Sequence, residues 1–236
     1  MGTLVLVAKV PSSGQSKTRI AEHLGRNVAT ALATAMLADL LTRLGAELVG
    51  VRKVLLFAPA DAESEAARFL SERGLSGQWQ LRPMASGDLR GSDLGAKLSA
   101  ALREEQQHDA AAPIAFIGMD SPALPGAAIS HGLAIAREGR AYICGADDGG
   151  YTLLVTPPGA PCAIFSDVLW SCAETLASQQ SRICAEGIEV ERGPTFADID
   201  EVEDVLSLRA VVMADPQQAQ LCPQVTKILR LLSLSE

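Results

Sequence analysis

Short apolar runs alternate along the chain with longer Ala- and Leu-rich segments whose apolar residues recur at helical spacing. Runs of the first kind are typical of buried strands, and segments of the second kind are typical of helices. This alternation is typical of βαβ units and predicts a largely parallel sheet. The predicted strands lie near 3–9, 52–58, 78–83, 113–118, 140–145, 150–156 and 188–192, and the predicted helices near 27–47, 61–74, 93–108, 125–138, 166–180, 201–212 and 216–234.

The fifth and sixth predicted strands are separated by only about four residues. A parallel crossover needs a dozen residues or more, so these two strands are expected to form an antiparallel pair and the sheet to be mixed. No Pro/Ser-rich linker, low-complexity tract or internal repeat divides the chain. We therefore predict a single domain over residues 1–236.

The charge balance excludes one class of partner. Twenty Lys and Arg residues against 28 Asp and Glu residues give a formal charge of −8, which repels a polyphosphate backbone, so no nucleic acid is expected. Charged residues interrupt the most apolar helical segment, 29–51, and no signal segment is evident, so we expect a cytoplasmic protein without a membrane partner. The five scattered cysteines are expected to be reduced core thiols, and Trp79 and Trp170 to be core residues.

The segment KVPSSGQSKTRI, residues 9–20, follows the first predicted strand and concentrates cations in an otherwise acidic chain. Loops at the carboxyl ends of parallel strands are where ligands bind in open α/β sheets. Pro11 and Gly14 shape a turn whose backbone N–H groups can face phosphate oxygens, and Lys9, Lys17 and Arg19 add positive charge. The segment therefore predicts a nucleotide-binding loop, with Lys17 also a candidate catalytic residue.

Two other interpretations of this segment stay open. One is a P-loop, because Lys17 precedes a threonine, but Pro11 and Ser16 stand at the two positions where that motif needs glycine. The other is a solvated turn whose cations only form salt bridges with surface acids.

Asp120 stands where the buried run FIGM, residues 116–119, ends in the turn DSPALP. A carboxylate at the end of a buried strand is either a helix cap or a metal ligand. The Ser121 side chain can serve as the helix N-cap, so Asp120 is not needed for capping. Asp120 is therefore predicted to bind Mg²⁺ or Mn²⁺ beside a diphosphate. Capping alone remains the alternative.

The segment FADIDEVEDV, residues 196–205, contains further candidate metal ligands. Asp198 and Asp200 lie two residues apart in an extended stretch, so their side chains point to the same side. Either one can be the second carboxylate on the metal at Asp120, because Mg²⁺ takes one or two carboxylates together with phosphate oxygens and water. Asp200 is also predicted to be the N-cap of the following helix, in a capping box with Glu203.

The segment GADDGGYTLLV, residues 145–155, combines two acids with two glycines between predicted strands. Gly149 and Gly150 permit positive φ and close approach of a ligand to the backbone, and Asp147 or Asp148 can serve as a base or contact a substrate. A tight hairpin turn explains the same residues equally well.

Taken together, five segments resemble the DUF2064 family, also labelled rSAM/selenodomain-associated transferase 1, of GT-A-like nucleotide-diphospho-sugar transferases. The segments are KVPSSGQSKTRI, SDLGAKL, FIGMDSPAL, GADDGGYTLL, and IFSDVLWS followed by FADIDEVEDV, and they span residues 9 to about 206. The resemblance implies a three-layer αβα sandwich with a mixed, mostly parallel sheet. It also implies a nucleotide or nucleotide-sugar bound at the strand ends.

The resemblance also assigns site residues by position. It places the metal at Asp120, and it places Lys17 and Arg19 in the basic loop of the family. Residues on two further family elements are Asp93, Gly95 and Lys97, which fall on DLGxR with lysine in place of arginine, and Asp148, Gly149, Gly150 and Tyr151, which fall on DGGY. The first group is expected to contact the nucleotide. Of the second, Asp148 is the candidate base, and the other three are expected to contact the acceptor.

Three functions remain in competition. The first is a metal-dependent transferase that moves a sugar from a nucleotide-sugar to a small acceptor, with Asp148 as the base. The second is a nucleotidyltransferase, in which an acceptor phosphate attacks the α-phosphorus and pyrophosphate leaves. The third is a non-catalytic nucleotide- or partner-binding module. The absence of a glycine-rich, arginine-containing first loop favours glycosyl transfer, by resemblance to the superfamily.

Overall fold

The computed structural model describes residues 1–11, 16–84 and 94–232. Its central element is a seven-stranded sheet in the order β3-β2-β1-β4-β6-β5-β7. The strands are β1 (Thr3–Lys9), β2 (Arg52–Ala58), β3 (Gln80–Pro83), β4 (Ile114–Gly118), β5 (Ala141–Gly145), β6 (Tyr151–Thr156) and β7 (Val190–Arg192). All seven predicted strands are present, so the predicted αβα class of fold is confirmed.

The sheet is mixed, as predicted. β1 is paired in parallel with both β2 and β4, whereas β6 is antiparallel to β4 and to β5. The short β5–β6 connection leaves no room for a crossover, and this reverses β6 in an otherwise parallel sheet. Consequently β1 and β4 end side by side, and their carboxyl ends are where the chain turns into polar loops.

Helices cover both faces because the central strands are apolar on both sides. In β1, Leu4 and Leu6 pack in one core cluster and Val5 in the other. The helices are α1 (Thr18–Leu24), α2 (Arg26–Glu47), α3 (Glu63–Ser71), α4 (Leu94–His108), α5 (Gly126–Arg137), α6 (Thr175–Ala185), α7 (Val202–Ala214), α8 (Pro216–Leu221) and α9 (Pro223–Leu231). A third cluster, which includes Met36 of α2 and Leu229 of α9, packs the carboxyl-terminal helices on the body of the fold.

Two helix predictions were wrong, and one helix was not predicted. The helix predicted over 166–180 begins only at Thr175, because Asp167 and Ser171 take left-handed φ values of 57° and 59° that a helix cannot contain. The helix predicted over 216–234 is divided into α8 and α9 at Pro223, whose ring nitrogen has no hydrogen to donate. The seven-residue α1 was not predicted.

Of the helices in the described ranges, only α2 has the length and hydropathy that a membrane span requires. Most of its apolar window, 61%, is buried inside the protein, as is usual for a core helix. The prediction of buried thiols holds for Cys144 and Cys222, but it was wrong for Cys172 and Cys184, which are exposed.

Candidate functional site

A cleft of about 690 Å³ opens at the carboxyl ends of β1 and β4. Lys9 is the last residue of β1, and Asp120 lies two residues beyond the end of β4. Lys17, immediately before α1, and Asp200, immediately before the cap of α7, also line the cleft. The topology therefore gathers four charged residues that are far apart in the sequence.

Lys17 forms the centre of this cluster. Its ammonium lies 2.5 Å from a carboxylate oxygen of Asp120 and 2.6 Å from one of Asp200, and only 8% of the lysine side chain is exposed. Burial alone lowers the pKa of Lys17, but the two carboxylates outweigh burial and raise it overall, so the ammonium stays charged. The φ of Lys17 is 52°, a left-handed conformation that costs about 1 kcal/mol in a non-glycine residue. The ion pairs hold it there.

Asp200 reaches the cluster because an extended segment crosses the end of β4. The Ile199 N–H donates to the Asp120 carbonyl at 2.9 Å, and the Ser121 hydroxyl donates to an Asp198 carboxylate oxygen at 3.1 Å. Ser121 therefore binds Asp198 and does not cap α5. These two bonds fix the segment that carries Asp198 and Asp200 against the turn at Asp120.

The predicted capping box at the start of α7 was displaced by one residue. Glu201, not Asp200, is the N-cap, and its partner is Asp204, not Glu203. The backbone N–H groups of both Asp200 and Glu201 donate to one Asp204 carboxylate oxygen. This arrangement leaves the Asp200 side chain available to Lys17.

Excess negative charge perturbs the acids of the cluster. Burial, and then the Asp120 and Asp200 carboxylates, raise the pKa of Asp198 to about 7. Burial also raises the pKa of Asp120, although the Lys17 ammonium opposes this effect. Three carboxyl groups face the ammonium groups of Lys17 and Lys9, so the cluster has one more carboxyl group than cation, a condition that an added cation would relieve.

The donor set fits a divalent cation only in part. In the ranges that the structure describes, no group of three or more His, Cys, Asp or Glu side chains has the arrangement of a metal site. Asp120 and Asp200, however, already converge on one positive centre, the Lys17 ammonium. Two carboxylates suffice for Mg²⁺ when substrate phosphates and water complete the coordination. The residues therefore fit a metal that arrives with a phosphorylated ligand.

The other predicted nucleotide contacts lie in different places. Lys9 and Arg19 line the cleft, and Arg19 pairs with Glu201 at 3.0 Å, with 69% of its side chain exposed. Pro11 is half-buried at the end of the loop, but it is outside the cleft lining, and Gly14 lies outside the described residues.

The predicted DLGxR element begins α4. Gly95 is buried and Lys97 half-buried in its first turn, and neither belongs to the lining of the cleft. Asp93 lies outside the described residues. The structure therefore does not bring Gly95 and Lys97 to the cluster around Lys17, although both remain predicted contacts.

The DGGY element forms the opposite wall of the cleft. Asp148 accepts a 2.8 Å hydrogen bond from the Gly150 N–H and lines the cleft, while its neighbour Asp147 does not. Gly149 has a φ of 87°, and a Cβ there would lie 2.2 Å from the Ala173 carbonyl oxygen, so only glycine fits. A second, adjoining cavity of about 290 Å³ is lined by Gly150, Tyr151 and, again, Asp148.

The second cavity includes residues to which the sequence had assigned no site role. Trp79 is buried, and Trp170 is half-buried and packs against the second core cluster, so both tryptophans cover the core as predicted, but Trp170 also forms part of the cavity wall. Ser171 and Cys172 line both cavities. The sequence signal for Trp170 and Ser171 was IFSDVLWS, a segment that carries the resemblance but to which no chemistry had been assigned, and Cys172 directly follows it.

Comparison with known proteins identifies the family. The model of DUF2064, described as an uncharacterized protein conserved in bacteria, matches residues 41–172. Because this match covers more than half of the chain, the protein belongs to the DUF2064 family. None of the curated proteins matches the sequence significantly.

Solved structures share the fold. A protein provisionally described as a nucleotide-diphospho-sugar transferase from Desulfovibrio desulfuricans G20 has a TM-score of 0.81 and 21% identity, with 98% of each chain covered. A cytidylyltransferase from Leptospira borgpetersenii has a TM-score of 0.54 and 11% identity over 100% of this chain and 98% of that one. CMP:2-keto-3-deoxy-manno-octonic acid synthetase complexed with CTP has a TM-score of 0.52 and 11% identity, over 91% of this chain and 99% of that one. These likenesses establish the fold.

Proposed function

We propose that this protein is a metal-dependent transferase that moves a sugar from a nucleotide-sugar to a small acceptor. The observation that carries the proposal is the convergence of Lys17, Asp120 and Asp200 in a cleft at the carboxyl ends of β1 and β4. The cleft volume, about 690 Å³, lies within the range of small-molecule sites. Lys17 can bind a phosphate group and the two aspartates can bind a cation, so the cluster contains the residue types that a site for a metal and a phosphorylated ligand requires.

The solved structures support a nucleotide as the ligand. Proteins of this fold include one described as a nucleotide-diphospho-sugar transferase and one in complex with CTP. In open α/β sheets the ligand lies beyond the carboxyl ends of the strands, which is where the charged cluster lies here. The fold and the cluster therefore point to the same edge of the sheet.

Each residue of the cluster has a role in this proposal. Asp120 and Asp200 would hold the Mg²⁺ or Mn²⁺, with Asp198 beside them. When bound, the metal neutralises charge that builds on the leaving diphosphate. Lys17 contributes a second positive charge, and Lys9 and Arg19 lie on the same side of the cleft to contact phosphate oxygens.

Asp148 is the proposed base. It lies between the charged cleft and the second cavity, since it lines both. An acceptor in the second cavity would therefore place its hydroxyl between Asp148 and the donor. The carboxylate takes the hydroxyl proton as the oxygen attacks the sugar carbon, and the nucleoside diphosphate leaves.

Nucleotidyl transfer is the second candidate function. Two solved structures of the same fold, a cytidylyltransferase and the CTP complex, favour it. The two reactions break different bonds, so ³¹P NMR of the products separates them. Nucleoside diphosphate identifies glycosyl transfer, and pyrophosphate identifies nucleotidyl transfer.

A thermal-shift screen tests the shared part of the proposal. Nucleoside diphosphates, triphosphates and UDP-, GDP- and ADP-sugars are each added with and without Mg²⁺ or Mn²⁺. Ligand binding to the folded state raises the Tm by mass action, and we expect a metal-dependent rise with one nucleotide family. Asp120→Asn should abolish that rise, while Asp109→Asn, an exposed loop carboxylate, should preserve it.

Two results would count against a metal-dependent enzyme. Nucleotide binding that is indifferent to both the metal and Asp120→Asn would contradict the metal site. Binding without turnover of any donor would favour the non-catalytic module.

A further inference from the structure

The second cavity differs in character from the charged cleft. Its lining includes several apolar and aromatic side chains, among them Leu98, Phe116, Tyr151 and Trp170. The Tyr151 and Trp170 rings lie 6.3 Å apart, and the Tyr151 hydroxyl is bound to the buried Gln179 at 3.2 Å. This bond holds the phenol in place, so the ring presents a fixed apolar surface to the cavity.

The charges that face this cavity all have one sign. Asp120, Asp148 and Asp198 line it, and among its lining residues in the described ranges there is no Lys or Arg. Asp120 is paired with Lys17 at 2.5 Å, but Asp148 and Asp198 have no cationic partner among the lining residues, so a phosphate or carboxylate entering the cavity would meet two uncompensated acids. Electrostatics therefore disfavours an anionic occupant and favours a neutral or cationic one.

The wall that carries Trp170 is built by irregular backbone and not by a helix. Asp167 and Ser171 both have left-handed φ values, which are costly in non-glycine residues and are held only where the surroundings fix them. The Gly149 carbonyl accepts from the Leu176 N–H at 2.9 Å, and the close approach of Gly149 to Ala173 packs this segment on the DGGY element. The two walls of the cavity are thus fixed to each other.

From these observations we propose that the second cavity is the acceptor subsite and that the acceptor is a compact, uncharged or cationic molecule whose hydroxyl is borne on an apolar ring. The proposal rests on the proposed transferase function and specifies its acceptor class. An apolar ring packs against Tyr151 and Trp170, and the hydroxyl points toward Asp148 at the junction with the charged cleft.

The reaction then balances without a further reactant. The acceptor oxygen forms a bond to the sugar carbon of the donor, and the bond from that carbon to the diphosphate oxygen breaks. The hydroxyl proton goes to Asp148, and the nucleoside diphosphate leaves with the electron pair. A phosphorylated acceptor, whose phosphate would attack the α-phosphorus in nucleotidyl transfer, does not suit an acidic cavity. The same charges therefore favour glycosyl transfer over nucleotidyl transfer to a phosphate.

Three probes that share a benzyl group but differ in charge test this proposal: neutral benzyl alcohol, cationic benzylamine and anionic benzyl phosphate. The protein has two tryptophans, so a ¹H–¹⁵N spectrum contains two indole signals. Trp170 lines the cavity, whereas Trp79 is buried and donates to the Leu41 carbonyl, so its signal is an internal control. Trp170→Phe assigns the signals.

We expect benzyl alcohol and benzylamine to move the Trp170 signal and to leave the Trp79 signal in place. Benzyl phosphate should bind at least ten-fold more weakly at Trp170. Asp148→Asn should reduce this difference in affinity between benzyl alcohol and benzyl phosphate several-fold, because it removes one carboxylate that repels the phosphate. Asp147→Asn, which changes the neighbouring exposed carboxylate outside the cavity, should leave the difference unchanged.

Benzyl phosphate binding at Trp170 as tightly as benzyl alcohol would overturn the proposal, as would failure of all three probes to move the Trp170 signal. Neither result depends on a nucleotide. Failure of the nucleotide screen with successful benzyl alcohol binding would instead contradict the proposed function, and with it the acceptor role, but would confirm that the cavity selects uncharged or cationic ring ligands.

Discussion

Removing the positive charge of Lys17 is expected to destabilise the protein in a way that a divalent cation repairs. Lys17→Met keeps an unbranched side chain that is only one atom shorter, but it removes the ammonium that lies 2.5 and 2.6 Å from the two carboxylates. Asp120 and Asp200 then repel each other without compensation.

The magnitude follows from the geometry. Because both carboxylate oxygens lie close to the same nitrogen, they are at most about 5 Å apart, and at an effective dielectric constant of about 20 two such charges repel by about 3 kcal/mol. The Asp200 side chain is 48% exposed, and solvent screening reduces the expected cost to about 2 kcal/mol. For a chain of this size, that corresponds to a fall in Tm of roughly 4–8 °C.

The assay is urea and thermal unfolding at pH 8 in EDTA, repeated with Mg²⁺ or Mn²⁺, and again at pH 4–5. Metal should restore most of the lost stability, and acid should do so as well, because protonated carboxyls no longer repel. Lys227→Met removes an exposed lysine of α9 and should have little effect under any of these conditions. A Lys17→Met protein as stable as the wild type in EDTA, or one that metal does not stabilise, would refute the reasoning.

Three further predictions concern stability. Asp39→Ala should cost about 2 kcal/mol in urea unfolding, because the buried carboxylate caps α9 through hydrogen bonds of 3.0–3.1 Å, and Asp39→Asn should retain part of the cap. In EDTA the wild type should lose stability as the pH rises from about 4 to about 7, since the pKa of Asp198 is raised to about 7 in the folded state. Asp198→Asn should reduce this loss, and the raised pKa of Asp120 accounts for the part that stays. Equal profiles of stability against pH for the wild type and Asp198→Asn would contradict this prediction. Gly149→Ala should cost several times more than Gly159→Ala, because both have positive φ but only the first would meet the Ala173 carbonyl oxygen.

The sheet could be predicted from the sequence because strand signals are local. Apolar runs mark the strands, and the short interval before Tyr151 requires an antiparallel β6. The helix predicted over 216–234 was wrong because the local stop signal of Pro223 was overlooked. The helix predicted over 166–180 was wrong because a tertiary requirement overrides a helical pattern. Asp167 and Ser171 take left-handed conformations to build the cavity wall, and no local signal marks them.

The candidate site could be predicted only as separate residues. Asp120 and Lys17 were each identified because polar residues follow buried strands. Their ion pair was not predicted, because it joins residues that are more than 100 positions apart and depends on how loops pack. Trp170 was missed because a tryptophan in a partly apolar segment is more often a core residue, and its exposure to the cavity depends on the irregular backbone that follows.

The most direct test of the central claim is ³¹P NMR of purified protein incubated with the nucleotide-sugar selected by the thermal-shift screen, with Mg²⁺ and a hydroxylated acceptor that moves the Trp170 signal. The account predicts release of nucleoside diphosphate that needs the metal and is lost in Asp120→Asn and Asp148→Asn but not in Asp147→Asn. Product formation that is unchanged in EDTA or in Asp120→Asn would contradict it, as would release of pyrophosphate in a parallel incubation in which a nucleoside triphosphate replaces the nucleotide-sugar.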